Sequence, residues 1–188
     1  VTYATDSMRR DLERHRIEVV QDDERLRCFW LREPGEWCMS VLVTELPSRQ
    51  IALTGDLTFG GRNGIVSDRG YGLGWFGGRL GEDYLCEKFL SEKWSRERAA
   101  KWCRWHRDDI KYDADQFETW KALCEIERDL TQWEEIRTPE ELYDALIPIG
   151  MADGDVPGYG YDENHAGWLC AVQQRFRECW QQMAEEAA

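Results

Sequence analysis

The chain has 188 residues, 42% hydrophobic and 12% aromatic, with 24 Lys+Arg against 37 Asp+Glu and a formal net charge of −13. That length and apolar content suit one domain, or one compact unit with two subregions, and the charge argues against DNA, RNA or an anionic membrane as a direct partner. No run of about 18 apolar residues is present, which excludes a transmembrane helix, and residues 1–15 hold no apolar signal-peptide core, so a cytoplasmic location is expected.

The first element in chain order is a short helix over Ser7–His15. Asp6 or Ser7 is its N-cap, and Met8, Leu12 and His15 fall on one side. The period then changes. Short β-branched or aromatic segments at Ile17–Val20, Leu26–Leu31, Trp37–Leu46 and Gln50–Thr54 are separated by Asp22-Asp23, Pro34-Gly35 and Pro47-Ser48. This pattern predicts an antiparallel meander. Both faces of Cys28-Phe29-Trp30-Leu31 are apolar, which places that strand inside the sheet. Gly55–Gly81 holds ten of the 16 glycines, threaded with Tyr71, Leu73, Trp75 and Phe76. A flexible linker would be polar, so this stretch is expected to pack down as an ordered loop.

From Glu82 onward the pattern is helical. Leu85/Phe89 and Cys86/Leu90/Trp94 recur at i,i+4, and Trp102 and Cys103 extend the stripe. Asp113-Ala114-Asp115-Gln116 reads as a capping box for a second helix with Phe117, Trp120, Leu123 or Cys124, Leu130 and Trp133 inward. Thr138-Pro139-Glu140-Glu141 is the clearest helix start in the chain, with a Thr cap, Pro at the first position and Glu at the third. A second Gly-rich loop, Gly150–Gly160, leads to a last helix from about Glu163. The apolar face of that helix carries Leu169, Val172, Phe176, Cys179 and Met183. The expected architecture is α+β. Residues 1–81 form a small N-terminal antiparallel sheet with a short helix and the Gly-rich loop, and residues 82–188 form an acidic C-terminal region of four helices, which cover one face of the sheet or form an adjoining lobe.

The recognisable chemistry is thin. Gly60-Gly61-Arg62-Asn63-Gly64 could cradle a phosphate with converging backbone N–H groups, but it matches neither the Walker nor the dinucleotide spacing, and no helix follows at once. Cys103-x-x-His106 puts two metal-ligand types one helical turn apart, with no spacing that recruits a third and fourth. The three histidines, His15, His106 and His165, accompany no nucleophile signature. Asp153, Asp155, Asp162 and Glu163 lack the alternation of a calcium loop. The seven cysteines are odd in number, scattered and mostly on apolar stripes, which fits reduced, buried thiols. No cofactor or metal is expected.

The functional lead is charge. Residues 1–107 carry 18 Lys+Arg against 17 Asp+Glu, and residues 108–188 carry 6 against 20. Ten carboxylates of this acidic stretch are the candidate partner-binding residues: Asp113, Asp115, Glu118, Glu125, Asp129, Glu134, Glu135, Glu140, Glu141 and Asp144. An acidic helical face is commonly just a solvated one. Its functional alternative is a surface that imitates nucleic-acid phosphates and docks on a Lys/Arg-lined groove.

Leu53-Thr54-Gly55-Asp56-Leu57, then Gly72-Leu73-Gly74-Trp75-Phe76 and Asp83–Phe89, resemble a set of phage and prophage accessory proteins. Those proteins also join an N-terminal helix, a strand ending in Thr/Ser-Gly-Asp, an aromatic-rich loop and a helical remainder. The resemblance covers roughly residues 8–95 and carries over no catalytic residue. It implies a setting, the cytoplasm of a bacterial host cell, and an anti-CRISPR-like, counter-defence role. The expected function is inhibition of a bacterial defence complex such as CRISPR, the acidic helical face occupying the basic surface where a nucleic-acid-processing complex binds its substrate. The alternative is a small enzyme that uses the loop Gly55–Gly81 to bind a nucleotide or phosphorylated substrate, with Asp56, Arg62, Asp68 and Arg69 as polar candidates.

Overall fold

A computed structural model describes residues 2–24, 26–36, 39–59, 62–133, 135–152 and 157–186; for residues 57–59, 62 and 63 it describes the backbone only. The fold is α+β. The chain forms two compact units, residues 1–91 with 161–188, and residues 92–160. This differs from the expected division at Gly81. The last helix returns to pack with the N-terminal sheet, and the helical middle of the chain builds a separate core.

In the first unit, α1 (Asp6–Asp11) starts one residue earlier than the spacing predicts, because Thr5 is the cap and its side chain accepts from the Met8 N–H. The meander follows as β1 (Arg16–Asp22), β2 (Arg27–Arg32), β3 (Val41–Glu45), β4 (Ile51–Phe59) and β5 (Arg62–Val66). All neighbours are antiparallel in the order β1-β2-β3-β4-β5. The start of the third expected strand, Trp37-Cys38, lies outside the described residues. The fifth strand falls inside the Gly-rich stretch, where an ordered loop was expected.

Period-2 alternation sets one face. Phe29 opposes Val43, Val43 opposes Leu53, and Leu53 opposes Ile65, so a buried apolar row crosses four strands. One register higher, Leu31 and Val41 face Gly55. Gly55 sits at φ +147°, and a Cβ there would lie 2.1 Å from the Ser40 carbonyl oxygen, so the strand crossing requires glycine.

The buried face is covered by α2 (Leu73–Phe76), α3 (Glu82–Phe89) and α7 (Glu163–Glu186). Phe176 of α7 meets the rings of Phe29 and Phe76 at 6.4 and 5.3 Å and stacks with Trp180 at 5.6 Å. Gly167 lets α1 and the N-terminal arm close on α7, since a Cβ there would come within 2.9 Å of the Tyr3 carbonyl oxygen.

His15 lies buried at the end of the α1 turn. It shares a hydrogen bond of 3.1 Å with the Met39 carbonyl through Nε2, and its Nδ1 has no partner among the described residues. Burial holds its pKa below the ordinary 6.5, outweighing the Met39 contact. Between the folded pKa and 6.5 the unfolded chain therefore binds more protons. The contribution of His15 is fully present above about 6.5 and shrinks as pH falls through that window. The expected result is a urea midpoint that drops between about pH 7.5 and about pH 5.5, with a shallower drop in His15→Gln. An unchanged slope in that variant would assign the dependence to other groups, such as His106, whose pKa burial also lowers.

In the second unit, the helical pattern read as continuous from Glu82 is broken. The helix stops at an extended Leu90, residues 90–92 belong to no helix, β6 (Lys93–Trp94) pairs with β7 (Tyr159–Gly160), and α4 (Arg96–Ile110) restarts behind a Ser95 cap. Ser95 N–H, Arg98 Nε and Trp94 Nε1 all donate to the Pro157–Gly158 carbonyls, at 3.0, 3.1 and 3.1 Å. A 3-10 turn (Ala114–Gln116), α5 (Phe117–Arg128), a π-helical segment (Asp129–Trp133), α6 (Pro139–Leu146) and a second 3-10 turn (Ile147–Ile149) complete the unit. Its core is Ala99, Ala100, Cys103, Leu123, Ile126, Leu130, Ile136, Leu142 and Leu146. Among the described residues, no helix is long and apolar enough to cross a membrane.

Candidate functional site

The acidic stretch divides once folded. Residues 92–160 hold 17 Asp+Glu against 10 Lys+Arg, a net of −7, because the second unit begins at Glu92 and takes in the basic Arg96–Arg107 region. The remaining negative charge of the C-terminal portion goes with α7 to the first unit. Inside the second unit, Glu127 is neutralised by Arg104 at 2.8 Å and by Arg107.

The ten expected carboxylates have different occupations. Glu141 is a cap. It accepts from the N–H groups of Arg137 and Thr138, at 2.6 and 3.1 Å, while Thr138 Oγ1 accepts from Glu141 N–H at 3.2 Å. Those backbone donors hold its carboxyl below the usual range. The box expected at Asp113 is only half formed. Asp113 accepts from Asp115 N–H at 3.0 Å and caps the 3-10 turn, and the side chain of Gln116 does not cap α5.

Asp129 is half-buried in the π-helical segment. Its Oδ1 has no hydrogen-bond partner among the described residues, and burial, reinforced by Glu135, pushes its carboxyl up. Glu118 and Glu125 lie outward on α5 but alternate with Lys121 and Arg128 at i+3 and i+4 spacing, so that face is charge-balanced. Asp115 and Glu135 are exposed, and Glu134 lies outside the described residues.

Glu140 and Asp144 remain, and α6 gives them a distinctive neighbourhood. Leu142 and Leu146 face the core, so Glu140, Tyr143, Asp144 and Ile147, at i, i+3, i+4 and i+7, line the opposite side and are all exposed. The same spacing occurs on α4. With Ala99, Ala100 and Cys103 inward, Trp105, Asp108 and Asp109 follow one another outward, and Tyr112 in the turn after α4 is exposed next to them in sequence. Trp105 is 65% and Tyr112 is 89% exposed. Asp108 takes the Arg107 guanidinium at 3.2 Å, and Asp109 makes no ion pair among the described residues. No Lys or Arg stands within either four-residue stripe.

Asp108 and Asp109 belong to the acidic stretch read from the sequence but not to the ten residues singled out for partner binding. The signal that finds them is helical phase: Arg104 and Arg107 turn toward α5, and the carboxylates turn away. Exposed aromatic side chains concentrate in this unit, with Trp105, Tyr112, Phe117, Trp133, Tyr143 and Tyr159 here against Tyr84 in the first unit, among the described residues; Phe117 and Trp133, expected inward, lie at the two ends of the α5 stripe outside the core that Leu123, Ile126 and Leu130 form. Trp and Tyr anchor protein interfaces, and carboxylates beside them suit Lys and Arg from a partner.

The other expected sites find no such support. Gly60-Gly61 and the Arg62 side chain lie outside what is described, so the phosphate cradle drawn there has no described geometry. Asp56 accepts from Ser40 Oγ at 3.0 Å, and Asp68 accepts from the Tyr71 hydroxyl at 3.0 Å and pairs with Arg69 at 3.8 Å. Cys103 is buried, and its thiol is pushed up to about 12 by burial and by Glu127. His106 packs between Trp102 and Trp105. Asp162 caps α7 through His165 N–H at 3.0 Å, and Asp153 and Asp155 lie outside the described residues. Among the described residues no group of three or more His, Cys, Asp or Glu is placed to hold a metal ion. Six of the cysteines are free thiols, and Cys38 lies outside the described residues.

Comparison of the chain with protein-family models, with curated proteins and with solved structures returns no match.

Proposed function

We propose that this protein is a binding protein whose helical unit docks on a basic, nucleic-acid-binding surface of another protein. In the setting implied by the resemblance to phage accessory proteins, that partner is a bacterial defence complex such as a CRISPR effector, and the outcome is inhibition. The observation that carries this reading is the pair of outward stripes, Trp105/Asp108/Asp109/Tyr112 and Glu140/Tyr143/Asp144/Ile147. Each pairs carboxylates with exposed apolar side chains and contains no Lys or Arg of its own, although Arg107 pairs with Asp108 and Lys111 lies over the Tyr112 ring. A face serving solubility alone needs charge but no exposed Trp or Tyr. Carboxylates accelerate the approach to a Lys/Arg-lined groove, and aromatic anchors hold the complex once water is excluded.

The test is capture from a nuclease-treated bacterial lysate at two salt concentrations, with mass spectrometry of what is retained. A nucleic-acid-processing complex held at about 0.05 M salt and lost above about 0.3 M, where screening acts within a few ångströms, is the expected result. Reversal to Lys at Asp108, Asp109, Glu140 and Asp144 should weaken capture more than reversal at Glu118 and Glu125. Capture that ignores salt, or equal effects of the two sets, removes the stripes from the interface. Glu141 is left out of the set because its replacement would uncap α6.

A further inference from the structure

In a chain with this excess of carboxylates, Arg10, Arg16, Arg79 and Arg177 are the described arginines of the first unit without one, and two of them share a cleft. Arg79 and Arg177 make no ion pair or hydrogen bond with the described residues, and both line the same cleft of about 420 Å³ beside α7. The volume falls within the range of small-molecule sites, roughly 300–1,000 Å³. The lining is mostly polar, with Gln173, Gln174 and Gln181 on the α7 side and Leu80, Leu85 and Cys170 supplying the apolar part.

The one carboxylate in the lining, Glu82, is already committed. It accepts from the N–H groups of Tyr3 and of Ala4, the latter at 3.3 Å, and from Arg9 at 3.5 Å. Neither guanidinium therefore has an internal counter-ion in its own cleft. Gln173 is buried, and its amide donates to the carbonyls of Phe76 and Gly78 at 2.8 and 2.9 Å, which fixes the segment that delivers Arg79. A buried residue thus positions the backbone next to Arg79, whose side chain is exposed, while Arg177 on α7 is half-buried.

We propose that this cleft binds a small phosphate-bearing anion, of mononucleotide size or less, between Arg79 and Arg177. A guanidinium presents a rigid fork of N–H donors that matches oxyanions. A carboxylate has two oxygens and satisfies one fork. A terminal phosphate offers three and can be shared by two. The phosphate site thereby moves from the glycines at residues 60–64 to the far end of the same Gly-rich stretch, and it stands independently of the partner-binding surface on the other unit.

The experiment is calorimetric titration of the whole chain with inorganic phosphate, pyrophosphate, AMP and citrate at matched ionic strength. Saturable binding of pyrophosphate or AMP, with citrate weaker, is expected. Preference for AMP identifies an organic phosphate and equal binding a free one. Arg79→Gln and Arg177→Gln should each weaken binding about tenfold or more. Because neither side chain has a partner to lose, both variants should keep the parent's thermal midpoint in the absence of anion.

A second reading needs no variant: phenylglyoxal labelling of the parent protein, mapped by mass spectrometry, should be blocked at Arg79 and Arg177 by pyrophosphate. Absence of saturable binding up to about 10 mM overturns the proposal. So do unchanged affinity in both variants, citrate binding as tightly as pyrophosphate, or labelling at both arginines that pyrophosphate leaves unprotected.

Discussion

Phe176→Ala is expected to cost the first unit about 3–5 kcal/mol. Phe176 is fully buried and joins three aromatic neighbours, Phe29 from β2, Phe76 from α2 and Trp180 one turn along α7. Its removal forfeits the transfer energy of a whole ring and leaves a cavity. The surroundings cannot close over that cavity without moving either the sheet or the helix. Edge and stacked contacts with the three rings add to the loss. Against a total of about 5–15 kcal/mol for a domain, this is a large share. Denaturation in urea followed by near-ultraviolet circular dichroism reads it as a lower midpoint. Tyr143→Ala, at an exposed position, should stay within about 0.5 kcal/mol and serves as the comparison. A loss below about 1 kcal/mol for Phe176→Ala would mean that α7 does not seal this core.

Trp105→Ala should do the reverse, leaving stability within about 0.5 kcal/mol and weakening partner binding about 30-fold or more. Trp105 projects from α4 with Asp108 and Asp109 at its side, directly opposite buried Cys103. Little holds it in the free protein beyond its edge contact with His106 at 4.6 Å. An aromatic of that size left in water loses little folding energy when truncated, but it gives up a large buried area once a partner covers it. The measurement is a titration of the captured partner with the parent chain and with the Trp105, Tyr112 and Tyr143 variants. Three variants that bind like the parent would exclude both stripes as the contact surface.

The sheet was legible because period-2 alternation and turn residues are local signals: four of the five strands stand where β-branched and aromatic runs stand between Asp, Pro and Gly. The fifth strand was hidden because Gly64 and its neighbours suggest a loop, although Gly64 pairs directly with Thr54. The break between α3 and α4 was hidden for the opposite reason. Leu90 and Trp94 continue the apolar spacing through a segment that belongs to no helix, so periodicity alone carries the helix across.

The sequence left open whether the helices cover the sheet or form an adjoining lobe, and that α7 is the one returning to the sheet could not be read. Which core an apolar face enters is a tertiary fact, and the faces of α5 and α7 look alike in sequence. Within the acidic stretch, composition counted all carboxylates as equals. The structure separates a cap (Glu141), a turn former (Asp113), a half-buried group (Asp129) and a balanced face (Glu118, Glu125) from the exposed Glu140 and Asp144. Thr138-Pro139-Glu140-Glu141 already contained one of these distinctions, since a capping box commits its Glu to the backbone.

The pairing of Lys93–Trp94 with Tyr159–Gly160 has a consequence for how the chain can vary. The two ends of the segment 92–160 are fastened side by side by four residues of ladder and by three donors aimed at Pro157 and Gly158. The segment therefore begins and ends at neighbouring points of its own fold. Closure entropy grows only logarithmically with the length of what is inserted. The acidic segment is in effect a cassette. Its helices can lengthen, change their charge or be exchanged while the entry and exit points stay put, and a surface under pressure to follow a changing partner could diversify without disturbing the fold that carries it.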